Sequence, residues 1–225
     1  MAASLLAGML GWKLGELFDL DSWAAVRSMA IVIITLLAAE PQRRKADSPH
    51  FGAANRITLA RGVLVGCVAA FIGSPGSPSP AIWVTGVAVI ALVMAGLDGW
   101  VARRSGTCSD YGAQLDMELD SLLMLVLCVL AWQWDQAGLW VLFCGLARYA
   151  FLLTGLILPW FNRPLPEAFR RKVCCVIGVG GLTAALWPWP WPGFGAALAG
   201  AATAALALSF GIATLWLVRH RSEEM

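Results

Sequence analysis

The sequence predicts an all-α, polytopic membrane protein, with a six-helix transmembrane core preceded by an N-terminal interfacial or extra helix. Composition is the first reason: 59% of the 225 residues are hydrophobic and 13% are charged. Soluble domains are typically about 45–50% apolar and about 25% charged. The mean hydropathy is +0.72, which also excludes an ordinary soluble domain. The apolar residues gather into runs close to the roughly 20 residues that a helix needs to cross a bilayer.

Six apolar runs are predicted to form the membrane-spanning core. Lipid offers no hydrogen-bond partner to an open backbone group, so each run is expected to be helical. In chain order the runs are Ile57–Gly73, Ala81–Leu97, Leu115–Trp134, Ala137–Trp160, Val173–Trp187 and Gly195–Val218.

The N-terminal region is less regular than the core. The stretch Trp23–Ala39 is apolar but marginal in length, and it carries Arg27 near its start. Met1–Leu20 is interrupted by charged residues, which predicts an interfacial helix instead of a span. We therefore divide the chain into an N-terminal segment, 1–53, and a transmembrane domain, 54–221.

The charge of the loops predicts the orientation of the bundle. Twelve basic residues lie in one set of loops: Arg43, Arg44, Lys45, Arg56, Arg103, Arg104, Arg163, Arg170, Arg171, Lys172, Arg219 and Arg221. The opposite set, Ser74–Pro80, Asp135–Gln136 and Trp187–Gly193, contains no Lys or Arg. By the positive-inside rule the basic end faces the cytoplasm. We expect an integral protein of a bacterial inner membrane, with its site on the cytoplasmic side.

Tryptophan and proline alternate in the last of the loops that lack Lys and Arg. Trp187, Trp189 and Trp191 are each followed by proline. Amphipathic rings of this kind are typical of a membrane interface, and the prolines end a helix. A Pro-rich ligand motif is the alternative interpretation.

Three carboxylates lie where predicted spans meet the basic end: Asp98, Asp116 and Asp120. A carboxylate inside the bilayer costs about 2.5–3.5 kcal/mol, so the group needs a cation or a wet cavity. Gly112 and the last two acids recur every four residues, only about 40° apart on a helix, and form one stripe. Oxygen ligands of this type prefer hard cations such as Mg²⁺, Mn²⁺ or Ca²⁺. Alternatively, the acids cap a helix and pair with Arg103 and Arg104.

This segment resembles the signature of the CDP-alcohol phosphotransferases. The matching positions are Asp98-Gly99-x(2)-Ala102-Arg103-x(8)-Gly112-x(3)-Asp116-x(3)-Asp120. The opening of the first span, Asn55-x(2)-Thr58-x(2)-Arg61, is also similar to that family. The resemblance implies a six-helix membrane enzyme of phospholipid biosynthesis, often a homodimer. Such enzymes transfer a substituted phosphoryl group from CDP-diacylglycerol or another CDP-alcohol to an alcohol acceptor, and release CMP.

The resemblance also implies roles for individual residues. Asp98, Asp116 and Asp120 would hold Mg²⁺ or Mn²⁺, as two divalent ions, and Asp120 would take the proton of the acceptor hydroxyl. The implied nucleotide-binding residues are Gly99, Ala102, Arg103, Gly112, Asn55 and Thr58. The residues themselves give no indication of which alcohol is the acceptor.

One position departs from the family pattern. Ala95 stands three residues before Asp98, where the family usually has another aspartate. The missing carboxylate removes an anionic ligand, so a catalytically impaired member that binds metal or CDP-lipid is a second hypothesis. A small membrane transporter or scaffold is a third, although the sequence shows no inverted repeat.

Three basic residues are candidate contacts for a phosphate of the donor or acceptor. Arg148 lies in the middle of a predicted span, where a buried arginine needs an anionic partner. It is either a phosphate clamp or a structural partner of an aspartate, unless it snorkels to the interface. Arg171 and Lys172 precede the fifth span, where basic residues also attract anionic lipid. The net charge of +2 indicates no nucleic-acid partner.

Overall fold

The structure is a computed structural model that describes residues 2–45, 53–105, 109–158 and 169–219. The helices are α1 (Ala2–Phe18), α2 (Ala24–Lys45), α3 (Ala53–Ala69), α4 (Pro78–Ser105), α5 (Asp110–Gln133), α6 (Leu142–Ile157), α7 (Phe169–Ala185) and α8 (Phe194–Arg219). A 3-10 turn at Leu139–Val141 precedes α6. The described residues contain no strand, which confirms the all-α class.

Helices α3 to α8 correspond in order to the six predicted runs. Within the described residues, the helices that are long and apolar enough to cross a membrane include Ala24–Pro41, Pro78–Val101 and Phe194–Leu217. Leu139–Gly155 and Val173–Ala185 are shorter apolar segments. The marginal stretch in α2 thus reaches spanning length, because the helix continues beyond Ala39. Helix α4 runs to Ser105, well past its predicted end, so the first half of the signature is helical.

Small residues let α2 approach both α1 and α3 closely. A Cβ atom built on Gly11 would lie 2.4 Å from Ser28 Oγ, and one on Gly66 would lie 2.6 Å from the Ser28 carbonyl oxygen. The Ser28 hydroxyl donates a hydrogen bond to the Gly66 carbonyl at 2.9 Å. Close backbone approach of this kind is typical of membrane helix packing. The N-terminal segment is therefore part of the bundle.

The C-terminal half of α2 reaches the helices that carry the signature. Ala39 of α2, Tyr111 and Leu115 of α5 form a buried cluster, and Leu36 and Leu59 pack against it. This contact lies beside the first turn of α5. Helix α2 therefore supports α3 and α5 at the end where the predicted site begins.

The loops without Lys or Arg are joined to one another at the opposite end of the bundle, which we call the far end. The amide of Gly73 donates to the Gln133 side chain at 2.7 Å, and Trp134 Nε1 donates to the Ser74 carbonyl at 3.0 Å. Arg27 donates to the Ala70 carbonyl at 2.8 Å and forms an ion pair with Asp21. The charge near the start of α2 is thus satisfied at this end.

Candidate active site

A serine cap fixes the first turn of α5. Ser109 has an extended backbone, with φ −141° and ψ 150°, and its hydroxyl accepts a hydrogen bond from the Gly112 amide at 3.1 Å. Serine is among the preferred N-cap residues because it satisfies one of the open amides of a helix start. The cap determines where the stripe of Gly112, Asp116 and Asp120 begins.

Gly112 lies where α3 and α5 come closest near the signature. A Cβ atom at this position would lie 2.7 Å from Asn55 Oδ1 and 3.2 Å from Ser109 Oγ. Asn55 is 6% exposed and Thr58, one turn later on α3, is 3% exposed. The structure therefore brings Asn55 and Gly112 together, and no larger side chain fits between them without movement.

One buried arginine bridges the two carboxylates of the stripe. Arg61 of α3 is 1% exposed, and its Nη2 lies 2.5 Å from Asp116 Oδ1 and 3.4 Å from Asp120 Oδ1. The same nitrogen donates to the backbone carbonyl of Asp116 at 3.1 Å. A single nitrogen reaches both acids only because they share one helix face, as their four-residue spacing predicts.

The two carboxylates are accessible on the side away from the arginine. The side chain of Asp116 is 39% exposed and that of Asp120 is 31% exposed, whereas Arg61 lies beneath them. Arg61 offsets part of the negative charge of the pair, since a buried guanidinium is stable only beside an anion. The arrangement presents oxygen atoms above a fixed positive charge.

The donor chemistry of this site fits a hard cation. Among the described residues no three His, Cys, Asp or Glu side chains group closely enough to hold a metal. The carboxylates of Asp116 and Asp120 are oxygen donors of the kind that Mg²⁺ and Mn²⁺ prefer. The predicted third ligand, Asp98, lies on α4, and its side chain lies outside the described residues.

Several other predicted positions are located by their helices alone. Ala95, Gly99, Ala102 and Arg103 lie in the C-terminal part of α4, and Arg171 and Lys172 lie in the first turn of α7. The side chains of Ala102, Arg103, Arg171 and Lys172 lie outside the described residues. Arg104 stacks over the Trp100 ring at 5.2 Å from its centroid. The pairing of the α5 aspartates with Arg61 therefore replaces the alternative of pairing with Arg104.

Arg148 is paired with a residue that was not among the predicted site residues. Its Nη2 forms an ion pair with Glu118 Oε1, which also accepts a hydrogen bond from Gln114 Nε2 at 2.7 Å. The Glu118 side chain is 7% exposed and that of Arg148 is 18% exposed. This geometry agrees with a structural ion pair between α5 and α6, although the partner is a glutamate and not an aspartate.

Sequence reasoning missed the roles of Arg61 and Glu118. Arg61 follows Asn55 and Thr58 at intervals of three, so one face of α3 carries all three side chains. That three-residue spacing indicates that Arg61 belongs to the same site as Asn55 and Thr58. Glu118 is rotated about 200° from Asp116, which places it on the other side of α5. Because of this rotation, Glu118 needs a partner from a helix other than α3.

Comparison with known proteins agrees with this geometry. The family model described as CDP-alcohol phosphatidyltransferase matches residues 51–216, from the start of α3 into α8. No curated protein and no solved structure gives a significant match to the chain. Helices α1 and α2 lie outside the matched region, and the whole signature lies inside it. The apolar helices indicate an integral membrane protein. Because the match covers nearly three quarters of its length, the chain belongs to the CDP-alcohol phosphatidyltransferase family, a family of transferases of phospholipid synthesis.

Proposed function

We propose that the protein transfers a substituted phosphoryl group from CDP-diacylglycerol, or another CDP-alcohol, to an alcohol acceptor and releases CMP. The observation that supports this most is the convergence of Asp116 and Asp120 on Arg61 inside the family-matched region. Phosphoryl transfer depends mainly on positioning and electrostatic stabilisation, and it needs no Ser–His or Cys–His pair. A rigid carboxylate pair with accessible oxygen atoms suits that requirement.

Three aspartates have proposed metal-holding roles, and one of them, Asp120, also has a proton-accepting role. Asp98, Asp116 and Asp120 would hold two divalent ions, Mg²⁺ or Mn²⁺, which when bound neutralise the diphosphate of the donor. Asp120 would accept the proton of the acceptor hydroxyl on a carboxylate oxygen, as a general base. Arg61 keeps both carboxylates on the same side of α5, so their oxygen atoms face the substrates.

The nucleotide is proposed to bind where α3, α4 and α5 approach the basic end. The close contact of Gly112 with Asn55 supports this, because the glycine lets the polar Asn55 side chain reach the first turn of α5. Thr58, Gly99, Ala102 and Arg103 are the remaining proposed nucleotide contacts. Arg171 and Lys172 are the proposed contacts for an anionic substrate. Arg148 is already paired with Glu118, so it would bind a phosphate only if the phosphate displaced Glu118.

The orientation and assembly are part of the proposal. Twelve basic loop residues lie at the signature end, and none lies in the three loops at the far end. This asymmetry supports a cytoplasmic site in a bacterial inner membrane. A homodimer is proposed on the family likeness alone, because small residues of α8 such as Gly195 and Ala199 pack against other residues of the same protomer.

The test is metal-dependent release of CMP by the purified protein in lipid. CDP-diacylglycerol is supplied with glycerol 3-phosphate, inositol phosphate, serine or choline, in Mg²⁺, Mn²⁺ or EDTA. We expect CMP with one of these acceptors, and its loss in EDTA and in Asp120→Asn. Asp120→Asn should retain more Mn²⁺ affinity than Asp98→Asn. The proposal is wrong if no acceptor yields CMP, even after Ala95→Asp.

Ala95 favours one alternative, a member that binds CDP-lipid and metal without turnover. It lies on α4 one turn before Asp98, where a carboxylate would add a ligand. This alternative predicts that Ala95→Asp gains CMP release that the parent lacks. Robust turnover by the parent sequence would exclude it.

A further inference from the structure

A pocket of about 380 Å³ lies at the far end of the bundle, away from the signature. Three loops line it: 76–78 before α4, 134–136 after α5, and 188–193 before α8. Pockets that bind small molecules are typically about 300–1,000 Å³. The volume therefore suits a small ligand or a lipid headgroup.

The tryptophans of this pocket are held in place by the protein itself. Trp134 Nε1 donates to the Ser74 carbonyl at 3.0 Å, and Trp189 Nε1 donates to the Ala184 carbonyl at 2.8 Å. The Trp189 and Trp191 rings stack with centroids 6.1 Å apart and an interplanar angle of 16°. Because the N–H groups of Trp134 and Trp189 are already used, those rings offer a ligand no donor. Trp134 is 7% exposed and Trp191 is 61% exposed, so the accessible aromatic surface comes mainly from Trp191.

Asp135 supplies the only formal charge among the lining residues. Its side chain is exposed, and within the described part of the chain it has no ion pair or hydrogen bond. The loops 74–80, 135–136 and 187–193 contain no Lys or Arg to compensate it. The pocket therefore combines an uncompensated carboxylate with the faces of preorganised indole rings.

We propose that this pocket binds an organic ammonium cation, either the headgroup of a zwitterionic phospholipid or a free alkylammonium compound. Indole is the strongest cation–π partner among the side chains, and aromatic walls with an acid suit ammonium groups. An anion is disfavoured by Asp135. A hard metal ion is disfavoured too, because it takes several oxygen ligands and prefers them to indole.

The first experiment measures whether binding depends on the positive charge of the ligand. The full-length protein in phosphatidylglycerol nanodiscs is titrated with choline chloride by isothermal calorimetry, and separately with 3,3-dimethylbutan-1-ol, its uncharged isostere. We expect saturable binding of choline and none of the alcohol. Absence of saturable choline binding, or equal binding of the alcohol, would overturn the proposal.

The second experiment assigns the binding to the pocket with matched variants. Asp135→Asn and Trp191→Leu are each expected to weaken choline about threefold to tenfold. Asp19→Asn is the carboxylate control, since Asp19 has φ 54° and Asp135 has φ 55°. Trp23→Leu is the aromatic control, because Trp23 is 63% exposed and Trp191 is 61% exposed. Both controls belong to the α1–α2 turn, outside the pocket lining.

The two controls are expected to bind choline like the parent. An equal loss in the controls and the pocket variants would show a general interfacial effect and overturn the proposal. Should Trp191→Leu unfold, the exposed Asp135→Asn decides the outcome alone.

A third arm separates the two sources of the ammonium group. In phosphatidylcholine nanodiscs a lipid headgroup would occupy the pocket, so added choline should no longer bind. If choline binds equally in phosphatidylcholine and phosphatidylglycerol nanodiscs, the occupant is a free ammonium compound. Either result supports the ammonium site established by the first two experiments.

Discussion

At the scale of single residues, the site depends on a guanidinium that has no access to solvent. Arg61 is 1% exposed and faces two acids from a neighbouring helix. Removing one member of a buried ion pair typically costs about 3–5 kcal/mol. The cost for Arg61 falls below that range, because water reaches the remaining carboxylates, which are 39% and 31% exposed. The position, the charge and the planar fork of the Arg61 side chain all contribute to holding the two acids. Substitutions of Arg61 can separate these three contributions.

Arg61→Leu should therefore lower CMP release by at least about 100-fold, and it should also lower the Tm. Arg61→Lys keeps the charge but loses the fork that reaches several oxygen atoms, so we expect an intermediate loss. The measurements are steady-state CMP formation and thermal unfolding in detergent. Parent-like activity in Arg61→Leu would contradict the positioning role.

Gly112→Ala tests the close contact between α3 and α5. The added methyl would lie 2.7 Å from Asn55 Oδ1, so one helix must shift. We expect CMP release to fall about tenfold, in keeping with the sensitivity of catalysis to misplacement of about 1 Å. Gly86→Ala on α4 is the control, since nothing lies within 4 Å of its Cβ position. An equal effect of the two substitutions would argue against the contact.

At the scale of helices, α5 carries acidic side chains on two of its faces, and an arginine from a neighbouring helix pairs with each face. Arg61 holds its signature face against α3, and Arg148 holds Glu118 on the other face against α6. Buried ion pairs often contribute little net stability, but they select one arrangement of neighbouring helices. The two ion pairs thus set both the rotation and the tilt of α5.

The second pair is tested with Glu118→Met, Arg148→Met and the double variant. Each single variant should lower stability by about 3–5 kcal/mol, whereas the double variant should recover most of it. We expect the double variant to release CMP nearly as the parent does, because the pair is structural. A folded double variant without activity would instead assign Arg148 to substrate phosphate.

The α1–α2 turn gives a prediction for pH. The hydrogen bond from Arg27 lowers the pKa of Asp21 from its ordinary value. A lowered pKa means that the pair stabilises the fold above the unfolded pKa of about 3.9, and that this contribution is lost as the pH falls through the folded value. The Tm difference between parent and Asp21→Asn should be present at pH 7 and should shrink as the pH falls below the unfolded pKa of about 3.9. A difference that persists in acid would contradict the assignment.

At the scale of the whole molecule, the sequence predicts the apolar helices and the stripe of acids, because both follow from local periodicity. It does not identify the partners of Arg61 and Arg148, because these pairs depend on how the helices pack and not on local periodicity. The extension of α4 to Ser105 was also missed, because a polar signature does not itself end a helix. Nor does the sequence show that α2, outside the family match, packs beside α5.

Ser28→Leu tests whether α2 supports the site from outside the matched domain. Its backbone and hydroxyl lie against Gly66 and Gly11, so a larger side chain must separate three helices. Overpacking of this kind costs about 1–3 kcal/mol, and we expect a lower Tm together with slower CMP release. Ile33→Phe, on an exposed face of α2, is the control and should change neither. Unchanged turnover in Ser28→Leu would show that α2 is dispensable for catalysis.

The burial of Arg61 also has a consequence for biogenesis. The arginine leaves the ribosome two helices before its carboxylate partners, and a lone arginine inside lipid costs at least about 2.5–3.5 kcal/mol. Helix α3 therefore gains its full stability in the bilayer only when α5 arrives beside it. Assembly of the catalytic acids and completed insertion of α3 are consequently one coupled event during synthesis.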